Sequence, residues 1–329
     1  MRIGRILLAL LVAAALAPGT VVRSPQAIYS LEGEVTFEPA EVQHVRAGPF
    51  TLEQAWLIEG EQRGVGGFSA LVALDDDRFL AATDAGWRLE FSRPDRGDPD
   101  PLVAVLGPPM SEDKFARDLE SLTRDPATGM IWGGYEMSNS LARFSDTRKM
   151  EKRARPVEIA DWGDNSGPEA FVRLADGRFL VVEERESGWN SARHRAVIFA
   201  DDPTAGGASE KLVLQGIAGY RPVDMTPLDK GRALVLFRDL RFSIPPTFAT
   251  AIGVVDIDHR AADGALEVQE LARFQPPFPF ENYEGMALTR DADGQHLWLI
   301  SDDNFMRYQR TLLLKLRWDR PPTRQKARE

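Results

Sequence analysis

Acidic side chains recur at the start and at the end of five similar segments of this 329-residue chain. The segments begin about every fifty residues, at positions 69, 120, 169, 224 and 284. The five starting residues are Ser69, Glu120, Glu169, Asp224 and Glu284, and the five closing residues are Asp84, Glu136, Glu184, Arg238 and Asp302. Eight of these ten residues carry a carboxyl group. If the fold brings them together, carboxylate chemistry is the chemistry to expect.

Carboxylates that crowd one another either raise one another's pKa or require a cation. Carboxylate oxygens are hard ligands, suited to Ca²⁺ or to Mg²⁺ and Mn²⁺ and not to soft metals. We therefore expect a metal site formed by Asp84, Glu120, Glu136, Glu169, Glu184, Glu284 and Asp302. Catalytic roles are expected for Glu120, Glu169, Asp224 and Glu284. In the competing interpretation the same acids are architectural, capping loops and pairing with nearby arginines.

Arginines near the third and fourth segments indicate a group that binds an anion. Arg185, Arg221 and Arg238 stand at strand ends or in loops, and Arg238 interrupts the acidic pattern. A guanidinium can hold a phosphate or a carboxylate through two parallel hydrogen bonds. We expect these arginines and Asn282 to bind the substrate.

Other catalytic patterns are missing from the sequence. There are no cysteines, which excludes disulfides, thiolate metal sites and cysteine nucleophiles. No G-x-S-x-G elbow occurs, and the four histidines do not form H-E-x-x-H. Ser69 follows two glycines, but the sequence supplies no base for it.

Each segment has the pattern of a β-hairpin. In the third segment, 168–174 is an apolar strand, Asp176 and Gly177 form a tight turn, and 178–184 returns and ends in acids. Two further strands are expected after each of the first four hairpins, for example at 157–160 as the fourth strand of the second unit. A repeat of about fifty residues with four strands per unit is typical of a β-propeller.

The sequence predicts an all-β propeller of five four-stranded blades closed by an N-terminal strand. The fifth repeat runs out after its third strand, and residues 50–60 resemble the outer strands of the other units. Closure by this segment would remove an open sheet edge. Six blades are the alternative, if residues 35–58 begin a blade of their own.

The two ends of the chain differ from the repeats. A basic start and the apolar run 6–17 before Pro18 and Gly19 predict a signal peptide over 1–19, with an uncleaved anchor as the alternative. We expect a linker over 20–33, the propeller over 34–318 and a charged tail over 319–329. The mature protein is expected to be periplasmic or secreted, with no membrane contact beyond the signal segment.

The net charge of −10 and the pI of about 5.1 argue against nucleic acid as a partner, because phosphate binding needs a basic surface. The expected partner is a small anionic substrate or ligand, and the expected oligomeric state is a monomer.

Short motifs in this order resemble the phytase-like family known as "esterase-like activity of phytase". They are 66–71 with 84–86, 118–122, 167–170, 221–224 with Arg238, and 282–288, within about residues 60–316. The resemblance implies a secreted or periplasmic propeller that hydrolyses phosphoesters or esters. The motifs of the calcium-dependent propeller phytases cannot be matched residue by residue.

Two hypotheses from different classes follow. The first is a metal-assisted hydrolase of phosphoesters or related anionic esters at an acidic mouth, with a lactonase-like activity as a related option. The second is a non-catalytic propeller of the cell envelope that binds a ligand or a protein at the same mouth.

Overall fold

A computed structural model describes residues 3–8, 10–12, 33–62, 64–107, 117–163, 166–188, 191–243 and 246–319. The predicted linker 20–33 and the predicted tail 319–329 therefore lie almost entirely outside the described residues. Within the predicted signal peptide, 3–8 and 10–12 are helical and exposed. Among the described residues, no helix is long and apolar enough to cross a membrane.

The described part of the chain is built almost entirely from β-strands. It begins with β1 Val35–Ala40, β2 Arg46–Ala47 and β3 Phe50–Gly60. The first repeat is β4 Phe68–Ala73, β5 Arg78–Thr83, β6 Trp87–Ser92 and β7 Leu102–Val105, with a 3₁₀ turn at Pro94–Arg96. The second is β8 Leu119–Arg124, β9 Ile131–Tyr135, β10 Ser140–Phe144 and β11 Met150–Ala154.

The remaining repeats have longer strands. The third is β12 Pro168–Arg173, β13 Phe179–Glu186, β14 Arg193–Phe199 and β15 Ser209–Gln215. The fourth is β16 Arg221–Asp229, β17 Arg232–Arg241, β18 Thr247–Asp256 and β19 Leu266–Arg273. The last is β20 Asn282–Asp291, β21 Gly294–Asp302 and β22 Leu312–Trp318. Within each repeat, consecutive strands pair antiparallel, and β15 also pairs with β19 in parallel.

The first strands of the repeats form a ring around a central channel. β4 packs beside β8, β8 beside β12, β12 beside β16, β16 beside β20, and β20 beside β4. Separate apolar clusters fill the space between each pair of neighbouring sheets. This is the arrangement of a β-propeller, so the all-β propeller prediction is confirmed.

The N-terminal segment closes the last sheet. β22 pairs antiparallel with β3 from Leu312↔Leu57 to Trp318↔Phe50, and β1 adds outside β3 in the same sheet. Trp298 on β21 packs against Trp56 of β3 at 6.0 Å and against Phe79 of the first repeat at 4.9 Å between ring centroids. Closure by the N-terminal strand is thus confirmed.

One predicted strand is misplaced. The fourth strand of the second repeat is Met150–Ala154, and residues 157–161 form turns. The apolar side chain of Ile159 is buried beside Trp162, between the second and third sheets. The apolar character of residues 157–160 therefore comes from a loop residue that is buried, and not from a strand. The true edge strand β11 is mostly polar because one of its faces meets solvent.

Candidate active site

Each inner strand has a β-bulge near its first residues, at the same mouth of the channel. The register against the second strand shifts around one extra residue in every repeat. The extra residues are Ser69, Glu120, Glu169, Val223 and Glu284. A bulge leaves this residue unpaired and re-aims its side chain. Four of the five aligned starting residues are thus equivalent, but in the fourth repeat Val223 holds the bulge and Asp224 is one position further along.

The strand register also aligns the returning strands. Each repeat has one further equivalent residue in the last part of its second strand or just after it, opposite the residue two before the bulge. These residues are Asp84, Glu136, Glu184, Arg238 and Asp302. Arg238 pairs with Arg221 and Asp302 pairs with Asn282. Glu136 N donates to Asp118 O at 2.9 Å, so Asp118 takes the same position in the second repeat. Each repeat therefore places three equivalent positions at one mouth, and the first of them is a glycine in the first and third repeats, Gly67 and Gly167.

The second repeat concentrates acids at all three positions. One carboxylate oxygen from each of Asp118, Glu120 and Glu136 lies within 4.8 Å of the others. Asp118 and Glu136 are buried, and Glu120 is half-buried. Sequence reasoning assigned metal-binding roles to Glu120 and Glu136 but missed Asp118. The sequence held a signal for Asp118, because it precedes Glu120 by two residues at the start of a strand and residues i and i+2 share one face.

Crowding changes the protonation of these acids. Burial raises the pKa of Glu120 well above its usual range, and the charges of Asp118 and Asp84 raise it further. Burial also raises the pKa of Glu136 to about 7, although a hydrogen bond with Glu169 acts in the opposite direction. The cluster therefore holds protons near neutral pH unless a cation replaces them.

Glu169 links this cluster to the third repeat. Its carboxyl is buried, and burial together with the charge of Glu184 raises its pKa well above the usual range. The charge of Arg238 opposes this shift. Glu169 thus stands between the acids of the second repeat and the arginine of the fourth.

Arg238 is a cation inside the mouth. Its Nη1 donates to Asn282 Oδ1 at 2.9 Å and to Glu284 Oε1, and its Nη2 lies 3.3 Å from Glu184 Oε1. Burial lowers the pKa of Arg238, but the charges of Glu169 and Glu184 outweigh that effect and raise it overall. About a fifth of the side chain (22%) remains exposed.

Asn282 contacts three charged residues of the mouth, Arg238, Glu284 and Asp302. It is fully buried, and its Nδ2 donates to Glu284 Oε1 at 2.8 Å and lies 3.4 Å from Asp302 Oδ2. Burial raises the pKa of Asp302 to about 7, against a hydrogen bond from the Asn304 amide. The structure therefore brings Glu284, Asp302 and Arg238 together around one amide.

Asp224 is placed differently from the other predicted acids. Its carboxylate is fully buried and accepts the Met225 amide at 2.8 Å and the Met286 amide at 2.6 Å. The bond to Met286 joins β16 to β20, whereas the bond to Met225 lies within β16. Ser121, at the equivalent position, donates to Pro168 O at 2.6 Å and joins the second repeat to the third. This position fastens neighbouring inner strands together.

The other predicted site residues lie at the periphery of the mouth. Arg221 is largely exposed, with its Nη1 3.1 Å from Glu184 Oε2. Asp84 is exposed beside Gly67. Arg185 is exposed, and its Nη1 lies 2.8 Å from the point that a Cβ on Gly163 would occupy. Arg185 thus covers the loop before β12.

The mouth therefore has an acidic side in the second repeat and a cation, Arg238, held by three polar partners on the opposite side. Oxygen ligands suit a hard divalent cation, and a guanidinium suits an anion. Ser69 does not have the environment of a nucleophile, because its Oγ donates to Leu119 O at 2.6 Å.

Three solved structures align with most of this chain at low sequence identity and with TM-scores below 0.5. The WD40 β-propeller domain of Doa1 aligns at 10% identity and a TM-score of 0.39, over 81% of this chain and 96% of that chain. U3-55K aligns at 9% identity and a TM-score of 0.43, over 78% and 97%. A chain of the Nidogen/Laminin complex aligns at 11% identity and a TM-score of 0.42, over 82% and 86%.

No curated protein matches the sequence. The model of one protein family does match it, over residues 63–305. Its description is "Phytase-like: Esterase-like activity of phytase". The matched range contains the acids and the arginine described above.

Proposed function

Because this chain belongs to the phytase-like family, whose description is "Esterase-like activity of phytase", we propose that its acidic mouth hydrolyses phosphoesters or related anionic esters with the help of a divalent cation. The observation that carries the proposal is the cluster of Asp118, Glu120 and Glu136, with ligand oxygens within 4.8 Å of one another. It lies at the same mouth as Arg238.

These three residues fit a hard divalent cation. Their donors are all oxygens, as Ca²⁺, Mg²⁺ and Mn²⁺ require. The elevated pKa values of Glu120 and Glu136 indicate that the charges are poorly compensated in the protein alone. When bound, a divalent cation neutralises charge on the ester oxygens and makes a coordinated water more acidic.

Two side chains of the protein have further roles in this proposal: Glu169 is the general base and Arg238 binds the anionic group of the substrate. Glu169 shares a hydrogen bond with Glu136, and a carboxylate with a raised pKa is a suitable acceptor for the proton of the attacking water. Arg238 orients the anionic group of the substrate, and its plane is fixed by Asn282, Glu284 and Glu184. Arg221 adds an exposed cation at the rim. Asp224 positions β16 against β20 and does not contact substrate.

The test is hydrolysis of a phosphomonoester by purified protein that has been stripped with chelator and resupplied with Ca²⁺, Mg²⁺ or Mn²⁺. Turnover is expected with at least one ion. Glu169→Gln should lower kcat by about a hundredfold or more, the usual contribution of a general base. Glu59→Gln, on the exposed surface of β3, is the matched control and should leave kcat unchanged. The absence of turnover with every ion between about pH 5 and pH 9 would overturn the proposal.

A binding propeller without catalysis is the second candidate. It is favoured by the Ser69 hydroxyl being held by a backbone carbonyl and by Arg238 being already paired with Glu184 and Glu284. Thermal shifts with phosphorylated sugars, with and without chelator, separate the two. A ligand that stabilises the protein without being hydrolysed would favour the binding function. Lactones belong in the same screen as alternative substrates.

Export to the periplasm or medium is part of the proposal. It is supported by the basic N-terminus followed by the apolar run 6–17. The intact mass of the protein recovered from its natural compartment should correspond to loss of about the first twenty residues. Retention of the full mass in a membrane fraction would instead indicate an uncleaved anchor.

A further inference from the structure

Large apolar side chains are exposed on one side of the acidic mouth. Beyond residues 3–12, seven large apolar residues of the described part of the chain are exposed, and five of these lie in segments next to strand ends at the mouth. The five are Leu240, Phe242, Phe280, Phe305 and Tyr308. All belong to the fourth and fifth repeats, away from Asp118, Glu120 and Glu136. Exposed apolar surface beside a concave polar site is typical of a ligand contact.

The end of the β17–β18 hairpin extends outward from the mouth and carries exposed apolar side chains. Arg238 and Leu240 are two residues apart on β17 and share one face of the strand. Leu240 pairs with Phe248 across the hairpin, and the Arg238 guanidinium lies 5.9 Å from the Phe248 ring. Phe242, just beyond the strand, is 96% exposed. The exposed apolar side chains thus begin directly beside Arg238.

Phe305 borders the mouth from the other direction. A Cβ on Gly67 would lie 3.0 Å from the Phe305 ring and 3.4 Å from Asp84 Oδ1, so the ring and the carboxylate flank one glycine. Asp303 Oδ1 accepts the amides of Gly67 and Phe305, both at 3.1 Å, and holds this loop in place. The Phe305 ring is therefore fixed near Asp84.

We propose that the substrate is an amphiphile, an alkyl or aryl phosphoester whose apolar group rests on Leu240 and Phe242 while its anionic end lies at Arg238. This inference rests on the proposed function, because it places the phosphoester at the same mouth. It adds that the group on the ester oxygen is apolar and not a sugar or an inositol. Burial of each methylene of that group strengthens binding by a similar increment.

Non-hydrolysable probes test this apart from catalysis. Binding of octylphosphonate and ethylphosphonate to the full-length protein with Ca²⁺ is measured by calorimetry. The octyl compound should bind at least about tenfold more tightly. Leu240→Ser and Phe242→Ser should each remove most of that difference and leave ethylphosphonate binding within about twofold. Phe242→Ser is the more secure variant, because a side chain that is 96% exposed has little packing to lose.

Leu102→Ser is the matched control. Leu102 is 53% exposed, like Leu240 at 45%, but it lies on the outer strand β7, where it pairs with Glu90 of β6. It should not change binding of either phosphonate. Equal affinities of the two probes, or an equal loss in the control, would overturn the inference. Sedimentation with phosphatidylglycerol vesicles without binding of monomeric octylphosphonate would also overturn it, since the surface would then bind a bilayer.

Turnover of octyl phosphate and ethyl phosphate distinguishes the two proposals. If both phosphates are hydrolysed at equal rates, the hydrolase proposal stands and the proposal of an amphiphilic substrate is wrong. If octylphosphonate binds selectively and neither phosphate is hydrolysed, the hydrolase proposal is wrong and the proposal of an amphiphilic ligand stands.

Discussion

Glu120 and Glu284 occupy the same bulged position in two repeats, yet their surroundings are opposite in charge. Glu120 faces Asp118, Asp84 and Glu136, which raise its pKa together with burial. Glu284 accepts hydrogen bonds from Arg238 and Asn282. The same chemical change should therefore have opposite effects on stability at these two positions.

We predict that Glu120→Gln weakens binding of Ca²⁺ at least tenfold, or about 1.4 kcal/mol. The melting temperature of the chelator-treated variant should stay unchanged or rise, because the amide resembles the protonated carboxyl and cannot take up the charge that the neighbouring carboxylates repel. Titration calorimetry and melting curves measure the two effects.

Glu284→Gln provides the comparison at the equivalent position. It should destabilise the protein by about 1–3 kcal/mol, because Arg238 loses a charged partner while partly buried. Its Ca²⁺ affinity should change by less than about threefold. If both variants lose stability and keep their affinity, the acids are architectural and the cation site is disproved.

A second prediction concerns Asp224. Its carboxylate accepts two backbone amides, whereas the side-chain amide introduced by Asp224→Asn could accept only one of them, because its NH₂ group is a donor. This substitution should lower the free energy of unfolding by about 1–3 kcal/mol. Asp239→Asn, which alters a surface ion pair with Arg241, should change it by less than about 1 kcal/mol. Denaturant titration of both variants checks this, and equal values would contradict the bridging role of Asp224.

At the scale of elements, strand β3 is the part that closes the ring. It lies between β1 and β22, so its backbone has partners on both sides. Ala55 pairs with Leu314 of β22 and with Ala40 of β1. A proline cannot donate to a strand ladder and is disfavoured in the middle of a sheet.

We predict that Ala55→Pro destabilises the protein by about 3 kcal/mol or more, since it disturbs the closure between the first and last repeats. Glu41→Pro, just beyond β1, should have a much smaller effect, within about 1 kcal/mol. Thermal unfolding followed by circular dichroism measures both. A normal melting temperature for Ala55→Pro would show that the ring does not depend on this strand.

At the scale of the whole molecule, the acidic mouth should make stability depend on pH. Glu136 and Asp302 have pKa values raised to about 7 in the folded protein, from 4.5 and 3.8. The folded state therefore binds these protons more tightly than the unfolded state does. Their contribution to stability is complete below about pH 4 and is lost as the pH rises through about 7.

Chelator-treated protein should accordingly melt at a lower temperature at pH 8 than at pH 5, and Ca²⁺ should restore more stability at the higher pH, because ligands must be deprotonated to bind a metal. Glu136→Gln should flatten both trends. Melting curves across this range, with chelator or with Ca²⁺, are the measurement. A melting temperature that does not vary with pH in the chelated protein would show that these groups are ionised throughout.

The sequence alone determined the class of fold and the existence of an acidic mouth. Repeats of apolar strand, polar turn and apolar strand require a hairpin wherever they occur, because alternation and turn chemistry are local properties. Equivalent hairpin ends then meet at one mouth by symmetry, which is why Asp84, Glu136, Glu184 and Asp302 could be aligned from their positions in the chain.

Only the tertiary structure decided which acids act together. A bulge shifts register by one residue and leaves little trace in composition, so Asp224 could not be distinguished from the bulged glutamates until its bonds to the Met225 and Met286 amides were seen. Likewise, the pairing of Glu284 with Arg238 and the clustering of Glu120 with Asp118 depend on the neighbouring repeat. The interaction between two charges depends on the distance between them, and these distances are fixed only when the repeats pack into the ring.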